Sequence, residues 1–267
     1  MRISSKHLIY FLAIMACAWV LIPIYVITIS AFQGPEGVYA WPKSFWPTFS
    51  LESLEFFFSI PQVWKSALNS IYAASLTMCI SLALGAPAGY AMARYDFRGK
   101  GLYRIAVLST RAFPVALLAL PLAVRFINMG IYDSVIGVAI VHSILAMPFA
   151  VLITYSLFLG IPRELEEAAW TLGCSRIEAF IYVVMPLALP SIAATAIFAF
   201  IISWNEVFAA AVLTTQNRTL PAFLMAGLNE APLHFRFAGG FFLIVPSLIF
   251  IFIVRKYLFS MWGIANR

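Results

Sequence analysis

The side chains able to do chemistry are few, and the densest group lies between Glu164 and Pro190, ELEEAAWTLGCSRIEAFIYVVMPLALP. Glu164, Glu166 and Glu167 crowd one turn, Ala168 and Ala169 follow, and Gly173 interrupts. Carboxylates at a helix start are favoured by the positive end of its dipole and accept charge-assisted hydrogen bonds. Pro162 suits the position just ahead of such a start, where a missing N–H costs nothing. The small alanines let another surface come close, and glycine suits the left-handed residue on which a helix stops and turns. Ser175-Arg-Ile-Glu178 then has capping-box spacing, in which serine and glutamate satisfy each other's backbone N–H groups. The pattern predicts helix, glycine turn and second helix, leading to Pro186 and Pro190. Its chemistry is recognition.

Catalytic arrangements are missing. His7, His142 and His234 are far apart, and there is no H-E-x-x-H, nucleophile elbow or G-x-x-x-x-G-K-[ST] loop. Cys17, Cys79 and Cys174 have neither metal-ligand nor disulfide-framework spacing, so no metal site is expected. The other candidates are polar residues in apolar surroundings: Arg111, and the run Trp204-Asn205-Glu206. A charge at the bilayer centre costs about 2.5–3.5 kcal/mol or more, which makes intramembrane ionisable groups functional candidates. Two readings stay open. Arg111 or Arg125 balances Glu206 inside a bundle, or these groups line a polar pathway.

The elements that must position these residues follow from composition. Of 267 residues, 63% are hydrophobic and 10% charged, against about 25% charged in soluble domains. So apolar a chain belongs in a bilayer. Windows of about 20 apolar residues match a hydrocarbon core of about 30 Å. Six occur, at about 8–32, 68–93, 103–125, 134–159, 185–212 and 237–254. The fold class expected is an all-α polytopic membrane protein, one transmembrane domain over residues 1–267. Gly85 and Gly89 in the second span have the small-xxx-small spacing that lets backbones approach in lipid.

Lys and Arg set the orientation. With the N-terminus inside, eleven fall on the cytoplasmic side (Arg2, Lys6, Arg94, Arg98, Lys100, Arg104, Arg163, Arg176, Arg255, Lys256, Arg267). Five fall outside (Lys43, Lys65, Arg125, Arg218, Arg236), and both termini are therefore expected in the cytoplasm. The net charge of +6 is a topology signal, and no basic, aromatic-interleaved stretch suggests nucleic acid. The apolar run after Lys6 is too long for a secretory h-region and reads as a retained anchor. Residues 33–67 form the longest outer segment. Its aromatics, Trp41, Trp46, Trp64 and Phe56-Phe57-Phe58, read as an interfacial belt or a docking surface.

Glu167-Ala168-Ala169, Gly173, Phe180, Val183 and Pro186 together resemble the EAA motif of ABC importer permeases. The chain is similar over most of its length to the smaller permease subunit of maltose-type carbohydrate importers. Asn69-Ser70, the run Gly89 to Lys100 (GYAMARYDFRGK), Phe113-Pro114, Ile161-Pro162, Trp204-Asn205-Glu206 and Thr219-Leu220-Pro221 carry that likeness.

The resemblance implies the type I importer fold, with six transmembrane helices and a cytoplasmic coupling helix at 163–179, between spans 4 and 5. It implies a second permease subunit, two ATPases that bind ATP and Mg, an extracytoplasmic binding protein, and residence in the bacterial inner membrane. ATPase contact would fall to Glu166, Glu167, Ala168, Ala169, Gly173, Ser175, Phe180 and Pro186. Arg111, Trp204, Asn205 and Glu206 would line a path for a sugar or polyol, and Thr215, Gln216, Asn217 and Arg218 would face the binding protein. The tail Trp262 to Arg267 departs from the maltose-type ending, so its contact with the ATPases is left open. Alternatives are an ABC permease for a non-carbohydrate solute, a secondary transporter or channel, and, weakest, an intramembrane enzyme.

Overall fold

The computed structural model describes residues 5–227 and 230–261, and the tail from Trp262 lies outside the described residues. Helices dominate and no strand occurs among these residues. The described residues pack as two compact units, one made of residues 5–64 with Ala226–Pro246, the other of Lys65–Met225 with residues 247–261.

In the first unit α1 (Ser5–Ala31) is followed by two short helices, α2 (Gly34–Tyr39) and α3 (Glu52–Ser59). Phe57 is fully buried against Phe58, Phe235 and Phe242, so it is core. Trp41 and Trp46 are exposed, which fits a headgroup belt and a docking surface alike.

The second unit carries the candidate residues. It comprises α4 (Pro61–Arg94) from Lys65 on, α5 (Lys100–Ser109), α6 (Val115–Met129), α7 (Val135–Gly160), α8 (Glu164–Thr171), α9 (Arg176–Ala179), α10 (Met185–Trp204), α11 (Phe208–Leu213), α12 (Leu220–Ala226) up to Met225, and the later part of α13 (Leu233–Met261). Gly85 and Gly89 are where α4 meets α7. A Cβ on Gly85 would lie 2.7 Å from the Ala150 Cβ, and one on Gly89 would lie 2.7 Å from the Tyr155 N. Thr154 Oγ1 donates to Gly85 O across this contact, 3.2 Å.

Among the described residues four helices are long and apolar enough to cross a membrane, or up to six if each bent pair is one span. The expected span at 103–125 is not one rod. It breaks at Phe113-Pro114, and the halves meet at 88°. Proline offers no N–H and pushes the preceding residue out of the helical region, and Phe113 is extended at φ −77°, ψ 122°. The expected span at 185–212 likewise stops at Trp204, and α11 starts afresh at Phe208.

Candidate functional site

The glutamate-rich insert forms as its sequence dictates. α8 ends on Gly173 at φ +95°, a left-handed residue where an L side chain is strained. Cys174 N–H reaches Ala169 O (3.1 Å) and Gly173 N–H reaches Trp170 O (3.0 Å), the two bonds of a Schellman stop. Ser175 and Glu178 form the full capping box, with Ser175 N–H to Glu178 Oε2 at 2.7 Å and Glu178 N–H to Ser175 Oγ at 3.3 Å. The Ser175 backbone and hydroxyl bonds hold the Glu178 carboxyl below its ordinary value. Beyond α9 the helix widens over Phe180–Val184, where Met185 N–H bonds to Phe180 O five residues back. Pro186 has no N–H for the Tyr182 carbonyl, so the ladder adjusts just before it.

Helical periodicity then sorts the insert into two faces. Glu167, Ala168, Gly173 and Ser175 are exposed, with Leu172 86% and Ile177 71% exposed beside them. Glu166, Ala169 and Ala179 point inward and are buried. Glu166, expected among the outward contacts, is 2% exposed and ion-paired with Arg94. Ala169, three residues on, shares that inner face. Phe180 is half-buried, its ring 4.6 Å from that of Tyr90, while Pro186 is exposed. The Arg163–Glu167 pair at 3.4 Å is solvent-facing and adds little stability.

At the opposite end of α7, about 39 Å away at 1.5 Å per residue, the 214–219 loop is held by a residue the sequence did not single out. Asp133 Oδ1 accepts N–H bonds from Thr215 (2.8 Å), Gln216 (3.0 Å) and Asn217 (3.0 Å), and Asn217 Nδ2 donates to Asp133 O. Asn69 Nδ2 donates to Arg218 O, Lys65 Nζ to Gln216 O, and Leu220 N–H to Ser70 Oγ. Asn69-Ser70 and Thr219-Leu220 thus meet, although α4 and α12 are far apart in sequence. Thr215 and Gln216 stay exposed, and Asn217 and Arg218 are half-buried.

Partial burial pushes the Asp133 carboxyl up, but the N–H bonds from Asn217, Thr215 and Gln216 and the Thr215 side chain outweigh it and hold it below its ordinary value. A carboxyl depressed in the folded state stabilises the loop fully above its unfolded value, about 3.9, and that contribution is lost as pH falls through the depressed value. Asp133→Ala should speed amide exchange at Thr215–Asn217 by about tenfold, the loss of one or two charge-assisted bonds. Unchanged exchange in the variant would show that other contacts hold the loop.

The structure sets Arg111, which is exposed, apart from Glu206, whose side chain is 9% exposed. Arg111 Nη1 donates to Leu145 O (2.9 Å), and its guanidinium lies 4.3 Å over the Phe149 ring. Glu206 pairs instead with His142, Nε2 to Oε2 at 3.0 Å, and accepts N–H bonds from Ala209 and Ala210. His142 Nδ1 lies 2.7 Å from Ser203 Oγ, and Thr77 Oγ1 lies within hydrogen-bond distance of both Ser203 Oγ (3.3 Å) and Ala139 O (3.2 Å). Neither Arg111 nor Arg125 balances Glu206, because the break after Trp204 turns Glu206 onto the start of α11. His142 is an ionisable group inside a span, and the rule that flagged Arg111 applies to it equally. Trp204 is buried and stacked on Phe200, whereas Asn205 is exposed with Nδ2 bonded to Ile201 O. Among the described residues no cluster could hold a metal ion.

The profile of the binding-protein-dependent transport system inner membrane components matches residues 85–259, spanning α8, α9 and most of the polar core. The chain belongs to this family. As a member it is a multi-pass inner-membrane permease, and its relatives are transport subunits. The trehalose transport system permease protein of Mycobacterium tuberculosis is 33% identical over 73% of this permease and 73% of its own length. A diacetylchitobiose uptake permease of Streptomyces coelicolor is 29% identical over 74% and 66%. The molybdate/tungstate permease of Pyrococcus abyssi is 35% identical over 64% and 68%. A solved bacterial ABC transporter that imports the acidic polysaccharide alginate superposes with TM-score 0.73 at 22% identity, covering 96% of each chain. That last likeness fixes the fold alone, the type I importer architecture.

Proposed function

We propose that this permease forms half of the translocation pathway of an ATP-driven importer for a sugar or polyol and seats its ATPase on the 163–179 insert. The observation that carries this is the two-faced insert. Glu166 and Ala169 anchor it inward, and Glu167, Ala168, Leu172 and Ile177 stand exposed as a mixed acidic and apolar surface. A groove lined by Arg or Lys with an apolar floor would complement it. With no phosphate-binding loop in this chain, ATP and Mg would be bound by that separate ATPase. A second permease would complete the pathway, and the 214–218 loop would meet the binding protein. Both termini lie in the cytoplasm on this reading. Nucleotide-driven closure of the ATPases would move the insert as a rigid body and switch the cavity between its two openings.

The trehalose and diacetylchitobiose relatives support a carbohydrate cargo. The molybdate/tungstate relative, equally similar, is the observation behind the second reading, an oxyanion or other solute. Reconstitution with the ATPase, second permease and binding protein tests both. Glu167→Lys should lower binding-protein-stimulated hydrolysis by about tenfold or more by reversing a charge in the contact. Gly173→Asp should do the same by straining the turn at positive φ. Normal stimulation in both variants sinks the docking assignment. Stimulation by a binding protein loaded with molybdate, and none with a disaccharide, replaces the sugar reading.

A further inference from the structure

One arginine joins the insert to the membrane helices. Arg94, the last residue of α4, has its Nε on Glu166 Oε1, its Nη1 on Phe158 O (2.7 Å) and its Nη2 on Ile161 O (3.0 Å). Tyr90 Oη, one turn earlier, donates to Glu166 Oε2 at 2.6 Å, and its ring packs edge-on against Phe158 and Phe180. Both charged side chains are buried, Arg94 at 7% exposure and Glu166 at 2%. The three guanidinium nitrogens and both carboxylate oxygens are all engaged, on α4, the end of α7 and α8.

Burying this pair costs desolvation that an apolar pair of the same volume would avoid, so stability alone does not account for it. Directional, charge-assisted bonds do what apolar contacts cannot: they fix the angle and register of α8 against α4. Only Ile161, Pro162 and Arg163 separate α7 from α8. Without the bonds to Arg94, a push on α8 could be absorbed there.

We propose that Arg94 and Glu166, with Tyr90, form the joint that carries displacement of the insert into α4 and α7. They are positioning residues of energy coupling that do not touch the ATPase. This rests on the reading of the insert as the ATPase seat, and it assigns its inner face a separate role.

The test uses the full importer in liposomes, measuring cargo taken up per ATP hydrolysed and the ATPase that copurifies. Glu166→Gln and Arg94→Lys should retain copurifying ATPase while uptake per ATP falls about tenfold, within the range usual for site-to-site coupling. Replacing both residues by methionine removes the charges but keeps volume, and should give an assembled complex with the same low ratio. This double variant also decides the matter if a single variant leaves a buried charge and fails to fold. A wild-type ratio in it, or in Glu166→Gln, overturns the joint. Glu167→Lys is the control for the seat: if it keeps both its ATPase and its coupling, the docking assignment fails, whatever the joint does.

Discussion

Gly89→Ala is expected to destabilise the second unit by about 1–3 kcal/mol, and Gly89→Val by more, although neither adds a polar group. The added Cβ would meet Tyr155 N at 2.7 Å and Val151 O at 2.9 Å, with the Thr154 hydroxyl also in its way. The first two are backbone atoms of α7 and cannot rotate aside, so the helices must part. Parting them weakens the Thr154–Gly85 bond and loosens the packing beside Tyr90 and Arg94. Gly101 makes the control, since a Cβ there meets nothing within 4 Å. Gly101→Ala should be neutral or gain up to about 1 kcal/mol from helix propensity. Thermal unfolding of the purified protein in detergent compares the two. Equal midpoints for both alanine variants would mean that α4 and α7 do not depend on this close approach.

Glu206→Ala is the second large effect, expected at about 3 kcal/mol or more, because it leaves three largely buried N–H donors without their acceptor. It strips His142 Nε2 of its acceptor and leaves the N–H groups of Ala209 and Ala210 without theirs at the start of α11. Glu206→Gln keeps the shape and one acceptor oxygen, and should cost about 1–3 kcal/mol. Arg111→Ala, which loses one hydrogen bond and a ring contact, should cost about 1 kcal/mol. A double-mutant cycle between His142 and Glu206 should show coupling, and one between Arg111 and Glu206 should not. Cargo selectivity unchanged in Glu206→Gln identifies the network as structural. Altered selectivity would put Glu206 on the pathway.

Much of this protein is written in local patterns. The apolar windows required membrane helices, because their length and lack of charge leave no other way to cover them. The capping box at Ser175–Glu178 and the left-handed stop at Gly173 were legible because each is made by residues within one or two turns. The EAA spacing sufficed for the family, which the match over residues 85–259 bears out. Pro114 lies inside the third expected span. Its presence could not say that Phe113-Pro114 turns the chain by 88°, because neighbouring helices decide whether a proline kinks or breaks a span.

Partnership at a distance was decided by the tertiary structure. Glu166 and Glu167 are adjacent and chemically identical, yet only Glu167 faces out, because α8 lies with one side on the end of α4, where Arg94 waits. Glu206 found His142 and not Arg111, and Asp133 gathered the amides of a loop more than eighty residues away. Spacing along a chain determines helices, caps and turns, since those bonds close within a few residues. Which charge is buried against which depends on how helices cross. The insert's shape was therefore settled by its sequence, and its inner and outer faces only by the bundle that holds it.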